Sequence, residues 1–198
     1  RTKTPEPGFD SLFDGQSLQG WLPVGKKGNG YLMENGVLIC PASGGGRLFT
    51  EKKYTDFVLR FEFCLQEGSN NGIGIRSPLT GDPAYQGLEI QILDNHSPRY
   101  KDKLRPTQYH GSIYDLVPAR RGFLKPTGEW NQKEIRAIGR QIAVTLNGTV
   151  IVDFNLDSVT DSQVLEKHPG VARNSGHISF LGHGTKVEFR NVRIKEIH

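Results

Sequence analysis

Asp56-Phe57-Val58-Leu59-Arg60-Phe61-Glu62-Phe63-Cys64-Leu65 alternates apolar and mixed positions over ten residues. Successive side chains of a strand point to opposite faces. Phe57, Leu59, Phe61, Phe63 and Leu65 therefore share one face, and Val58, Arg60, Glu62 and Cys64 the other. The stretch reads as a strand with a dry side and a wetter side. Comparable runs occupy 36–40, 72–76, 87–93, 134–138, 141–146, 149–154, 177–181 and 186–197. Asn147-Gly148 joins two of them, and Asn-Gly is the preferred type I′ hairpin turn. Nine or ten strands with no helical interludes of 10 to 15 residues predict an all-β chain folded as a two-sheet antiparallel sandwich. Helix is confined to short pieces, one of them around 157–167.

Composition agrees with this reading. Gly and Pro together make up 35 of the 198 residues, and each is costly inside a helix, so a helical bundle is excluded. Ten Phe, two Trp and many branched aliphatics are bulky enough to fill one core. At this length a chain buries roughly 70% of its extended surface, which predicts one sizeable domain. Its expected limits are a flexible polar tail at 1–8 and a single β-sandwich domain at 9–198. The net charge is +4, but no run reaches five like charges, so nucleic acid binding is not implied. No segment is apolar for long enough to span a membrane. The polar start lacks the apolar stretch of a signal peptide and reads as the mature remnant of an exported protein. Cys40 and Cys64 both sit in strand-like runs and read as buried thiols; their pairing stays open.

The longest irregular stretch, 94–131, carries four prolines and a cluster of Lys and Arg. Loops of that length are usually functional or disordered. Tyr100, Tyr109, Tyr114, Phe123 and Trp130 favour an ordered loop covering one sheet. The Gly-rich pieces at 25–30 and 44–46 lack the strand-then-helix setting of a phosphate loop and read as turns.

Chemistry concentrates in Gly87-Leu88-Glu89-Ile90-Gln91-Ile92-Leu93-Asp94. Leu88, Ile90 and Ile92 point one way, and Glu89 and Gln91 emerge together on the other. Asp94 joins that pair only if a bulge inserts one residue. In Asn70-Asn71-Gly72-Ile73-Gly74-Ile75-Arg76, two glycines and Arg76 share a face, which suits the floor of a ligand groove with an Arg to hold an oxyanion. A simple bend in an ordinary sheet fits that pattern equally well. His110 and Tyr114, in His110-Gly111-Ser112-Ile113-Tyr114, are side-chain types suited to moving a proton near neutral pH. No tight two-histidine spacing points to a metal.

Taken in order, several pieces resemble the 3-keto-disaccharide hydrolase domain family. They are Phe9-Asp10-Ser11-Leu12-Phe13-Asp14-Gly15 with Leu18-Gln19-Gly20-Trp21; Asn70 to Arg76; Gly87 to Asp94; Gly111-Ser112-Ile113-Tyr114; Gly128-Glu129-Trp130-Asn131; and Gly176-His177-Ile178 with Phe189-Arg190-Asn191-Val192-Arg193-Ile194. The resemblance implies a concanavalin A-like jelly roll of two curved antiparallel sheets with a carbohydrate-holding concave face, in a secreted or periplasmic bacterial protein. It also implies cleavage of 3-keto-glycosides by acid and base chemistry. Glu89 and His110 are the expected acid and base, Arg76 and Tyr114 the charge stabilisers. Gln91, Asp94, Asn71, Trp130 and His183 are the expected substrate contacts. No cofactor is required; a divalent metal ion could hold the enolate, and its identity is unknown. The oligomeric state is equally open. The spacing of Glu89, Gln91 and Asp94 is similar to the E-x-D-x-x-E strand of laminarinase-type glucanases, with an amide in place of the central acid. In Gly176-His177-Ile178-Ser179-Phe180-Leu181-Gly182-His183-Gly184 the Gln that family members commonly carry before His-Gly is absent. A non-catalytic carbohydrate-binding domain and an ordinary endoglucanase are the alternatives.

Overall fold

The structure is a computed structural model that describes residues 6–198. Thirteen strands are assigned in chain order. They are β1 (Asp10–Ser11), β2 (Trp21–Lys27), β3 (Leu32–Glu34), β4 (Val37–Cys40), β5 (Gly45–Tyr54), β6 (Phe57–Leu65), β7 (Asn70–Ser77), β8 (Leu88–Leu93), β9 (Trp130–Ile138), β10 (Gln141–Leu146), β11 (Thr149–Asn155), β12 (Gly176–Leu181) and β13 (Val187–Glu196). Two short helices, α1 (Pro83–Gln86) and α2 (Ser162–Lys167), lie between them. One sheet runs β11-β10-β9-β6-β13-β4-β3, with β1 paired on β13; the other runs β2-β5-β12-β7-β8. Each pair of neighbours is antiparallel.

The core lies between the sheets. Phe57, Leu59, Phe61, Phe63 and Leu65 of β6 meet Ile73 and Ile75 of β7, Leu88, Ile90 and Ile92 of β8, and Ile178 and Phe180 of β12. This is the dry face expected from alternation, and it orients both sheets. Asn147 and Gly148, at φ 49° and 85°, form the two-residue turn that pairs Leu146 with Thr149. Both residues lie in the left-handed region that a type I′ turn requires.

Two sequence readings need correction. Gly25 lies inside β2, and Gly45 and Gly46 open β5. A Cβ on Gly46 would stand 2.4 Å from the Gly25 carbonyl oxygen, so these three glycines let β2 and β5 approach, whereas the rest of both pieces does turn: Gly30 N donates to Lys27 O at 2.9 Å and Gly44 N to Pro41 O at 3.1 Å. The sequence reading also lacks β1, β2, β3 and β5; β2 and β3 are sheet edges, where alternation need not be strict, and β2 contains Pro23, an edge-strand feature, but β5 is an interior strand between β2 and β12.

The stretch 94–131 is ordered and lies along the free side of β8. Gln91 N donates to Ser112 O at 3.0 Å, Gly111 N to Gln91 O at 2.8 Å and Tyr114 N to Glu89 O at 2.8 Å. Helix α2 falls within the expected region, its first turn capped by the Asp161 carboxylate. Cys40 and Cys64 are buried and unbridged. Of the expected tail, 1–5 lie outside the described residues, whereas Glu6 is held by Arg60 and Arg193. No described helix is long and apolar enough to cross a membrane.

Candidate functional site

Strand β8 runs at the edge of the five-stranded sheet, with register Gly72 to Gln91 and Gly74 to Glu89 against β7. Because Leu88, Ile90 and Ile92 fill the core, Glu89 and Gln91 face outward. The outward positions of β7 are Asn70, Gly72 and Gly74, and those of β12 include Ser179, which pairs with Gly74, and Leu181. Missing side chains on the glycines create the room: a Cβ on Gly72 would stand 2.0 Å from Glu89 Oε1, and one on Gly74 would stand 2.2 Å from Ser179 Oγ. Glu89 thus lies flat across β7, only 5% exposed. No described side chain or backbone group hydrogen-bonds its carboxyl. Ser179 Oγ and Asn70 Oδ1 are buried and equally without a partner.

Burial, with a smaller contribution from the nearby charge of Asp82, pushes the Glu89 carboxyl up to about 8. His183 moves the other way. Crowding by the protein lowers its pKa even though part of the ring reaches solvent; Asp82 opposes that shift and Lys27 adds to it. Glu89 and His183 therefore share the electrostatic reach of Asp82, which caps α1 by accepting from Ala84 N. At neutral pH the carboxyl keeps its proton and the imidazole lacks one. Environments that separate two titrating groups in this way commonly mark an acid and a base.

A second group of side chains holds the cover beside Glu89. The Asp115 carboxylate receives Arg105 Nη2 at 2.7 Å, Lys167 Nζ at 2.5 Å and the Tyr85 hydroxyl at 3.4 Å, with His168 Nε2 at 3.7 Å. Burial opposes its charge, but Lys167, Arg105 and His168 hold its pKa below the usual range. One carboxylate thereby ties α1, the 105–117 segment and α2 together. Next to it, Tyr114 accepts a hydrogen bond from Gln108 Nε2 at 3.1 Å, and Gln91 Nε2 donates to the Gln108 carbonyl at 3.1 Å.

Of the residues expected from the sequence, Glu89, Gln91 and Tyr114 belong to this region, and His183, exposed just past β12, shares with Glu89 the field of Asp82. Five others are placed elsewhere. Arg76, fully buried and at φ 52°, sends its guanidinium to the carbonyls of Gly139 (2.7 Å), Thr55 and Arg173, beside Asp56. His110 accepts from Leu93 N at Nδ1 and stacks on Phe63 in the core, its ring held neutral by burial and the neighbouring Lys133. Asn71 faces inward, donating to the Tyr31 hydroxyl. Asp94 is committed to a turn, accepting from Gly68 N and His96 N; β7 and β8 pair without the bulge that would have turned it outward. Trp130 lies on the outer face of the other sheet beneath the Arg190 guanidinium, 3.9 Å from its ring centroid.

Sequence reading missed Asn70, Ser179, Asp82, Tyr85 and Asp115. Parity from Ile73 and Ile178 would have found the first two; the loop residues carry no periodic signal. No three His, Cys, Asp or Glu side chains gather as a metal site among the described residues. Two cavities, about 760 and 310 Å³, open on the opposite sheet, where Glu6, Glu62 and Arg193 line both.

Comparison with known proteins agrees with the fold. The chain is 27% identical to a 3-keto-disaccharide hydrolase of Bacteroides thetaiotaomicron, a match covering 95% of this chain and 78% of that protein. It superposes with a TM-score of 0.82 and 25% identity on a Parabacteroides distasonis protein named "putative glycosyl hydrolase", covering 96% of this chain and 99% of the other. A carbohydrate-binding module, CBM66 of Bacillus subtilis, shares the fold at a TM-score of 0.55 and 11% identity, over 89% and 96% of the two chains. The profile of one family matches residues 8–195, nearly the whole chain. The protein belongs to the 3-keto-alpha-glucoside-1,2-lyase-like domain family.

Proposed function

We propose that this protein cleaves glycosides whose sugar carries a ketone at C3, at the outer face of the five-stranded sheet around Glu89. The observation that carries the reading is the Glu89 carboxyl, buried on that face without a protein partner and holding its proton to about pH 8. A carboxyl kept protonated at neutral pH is suited to general acid catalysis. The relatives named above favour a keto sugar as the substrate.

The ketone acidifies the hydrogen on C2. In the first step His183, the neutral base, takes that proton, and the electron pair moves onto the C3 oxygen as an enolate. The Tyr114 hydroxyl already accepts from Gln108, so its own hydrogen is free to point at that oxygen. In the second step the enolate collapses, the C1–oxygen bond breaks, and Glu89 protonates the departing oxygen. Water then adds to C1 of the resulting double bond and a proton returns to C2, which restores the ketone. Gln91, anchored through Gln108, borders the same face and orients the ring. Each proton-transfer group contributes roughly 10²–10⁴-fold in such chemistry.

Turnover of a 3-keto glucoside by Glu89→Gln and His183→Ala tests the assignment. Loss of at least ~10²-fold in both is expected, together with deuterium incorporation at C2 in heavy water. Unchanged turnover in both variants would remove these roles. Equal cleavage of the unoxidised glycoside would remove the requirement for a ketone.

A further inference from the structure

Two polar atoms beside Glu89 have no work in the fold. Ser179 Oγ and Asn70 Oδ1 are buried and make no hydrogen bond with any described group. An unpaired buried polar atom destabilises the fold, and native structures rarely keep one without a use. Register places them on one face. Ser179 sits opposite Gly74, Gly74 opposite Glu89, and Asn70 lies on the same side of β7 two residues before Gly72. Pro83 of α1 bounds the Ser179 end, its Cβ 3.5 Å from where a Gly74 side chain would begin. The turn after β12 bounds the Asn70 end, where Asn70 N donates to Thr185 Oγ1 at 2.7 Å.

We propose that Asn70 and Ser179 are specificity-determining residues that read individual hydroxyl groups of an uncharged sugar ring bound beside Glu89. Asn70 Oδ1 can only accept, so its partner must be a donor such as a hydroxyl; Ser179 Oγ can accept one hydroxyl and donate to another. The face also lies within the field of the Asp82 carboxylate, which disfavours an anionic ring. A site that hydrogen-bonds a hydroxyl rejects the analogue lacking it far more strongly than an apolar pocket does, because its own polar atoms are stranded. The proposal rests on the reading that this face is where sugar binds, but not on any chemistry performed there.

The test is binding of methyl α-glucoside and its 2-, 4- and 6-deoxy analogues, followed by NMR titration of wild type, Asn70→Ala and Ser179→Ala. Neither substitution removes a side-chain hydrogen bond of the fold at these atoms, so melting temperatures should equal or exceed wild type. At least one deoxy sugar should bind wild type about tenfold more weakly, and that penalty should vanish in one of the variants. No measurable sugar binding, or deoxy penalties identical in all three proteins, would overturn the proposal. So would a methyl glucuronide that binds as well as the glucoside. If the deoxy pattern holds while 3-keto glucosides are not cleaved, the catalytic reading alone falls; cleavage without the pattern removes only this assignment.

Discussion

Glu89 Oε1 lies 2.0 Å from the point where a Cβ on Gly72 would project, and the Glu89 Cδ lies 2.7 Å from it. The carboxyl occupies space that any other residue at position 72 would fill. Gly72→Ala should therefore leave the fold intact, since the strand itself accepts alanine, but push Glu89 out of place. A displacement near 1 Å can cost about 10²-fold in rate. Unchanged kcat/KM on a 3-keto glucoside in a folded Gly72→Ala variant would show that the position of Glu89 does not matter.

Burial of Glu89 also links stability to pH. Its carboxyl titrates near 8 in the folded chain against an ordinary value of 4.5, so the folded state binds more protons between those limits. The stabilising contribution is complete below about pH 4.5 and is lost as pH rises through about 8. Glu89→Gln, which mimics the protonated form, should flatten this fall and raise Tm at pH 9 relative to wild type. Urea melts at pH 5, 7 and 9 decide it, and parallel curves for the two proteins would contradict the burial of a protonated carboxyl.

Much of this arrangement was legible in the chain. Alternation from Phe57 to Leu65 and from Leu88 to Ile92 has the strand period, so the sandwich and the outward direction of Glu89 and Gln91 follow from sequence. The same parity, anchored on Ile73, would have chosen Asn70 over its neighbour Asn71. Other placements had no local signal. Arg76 adopts a positive φ at the end of β7, which breaks the alternation that put it beside Gly72 and Gly74. His110 and Asp115 sit in a loop, where side-chain direction is set by distant partners: Phe63 for one, Lys167 and Arg105 for the other.

Arg76 is accordingly a structural staple. Its guanidinium binds carbonyls of three separate turns, at Thr55, Gly139 and Arg173, without reaching solvent. Arg76→Ala should cost about 3 kcal/mol or more, as expected when a buried charged network loses one member. Arg76→Lys should recover only part of that loss, because an ammonium cannot span the fork of a guanidinium. In the folded fraction of the Lys variant, kcat/KM should stay close to wild type. A selective fall in kcat with normal stability would return Arg76 to the catalytic machinery.

Lys133 presents the opposite case, a charge-bearing group in the core with almost nothing to hold it. Only 3% exposed, it makes one long contact, 3.5 Å, to the Gln91 carbonyl and lies over the Phe63 ring near His110, whose Nε2 has no partner. Burial drives its pKa well below the ordinary 10.5, so between that lowered value and 10.5 the unfolded chain binds a proton that the folded chain does not. Stability attributable to Lys133 therefore rises with pH across the window and is lost as pH falls, opposite in sign to Glu89. Lys133→Met keeps the length and apolar stem of the side chain and should stabilise the protein by roughly 1–3 kcal/mol at pH 7, because one long hydrogen bond compensates little of the cost of burying the amine. The gain should shrink towards pH 10. A variant that is less stable than wild type at pH 7, or whose gain is independent of pH, would show that the amine is satisfied where it sits.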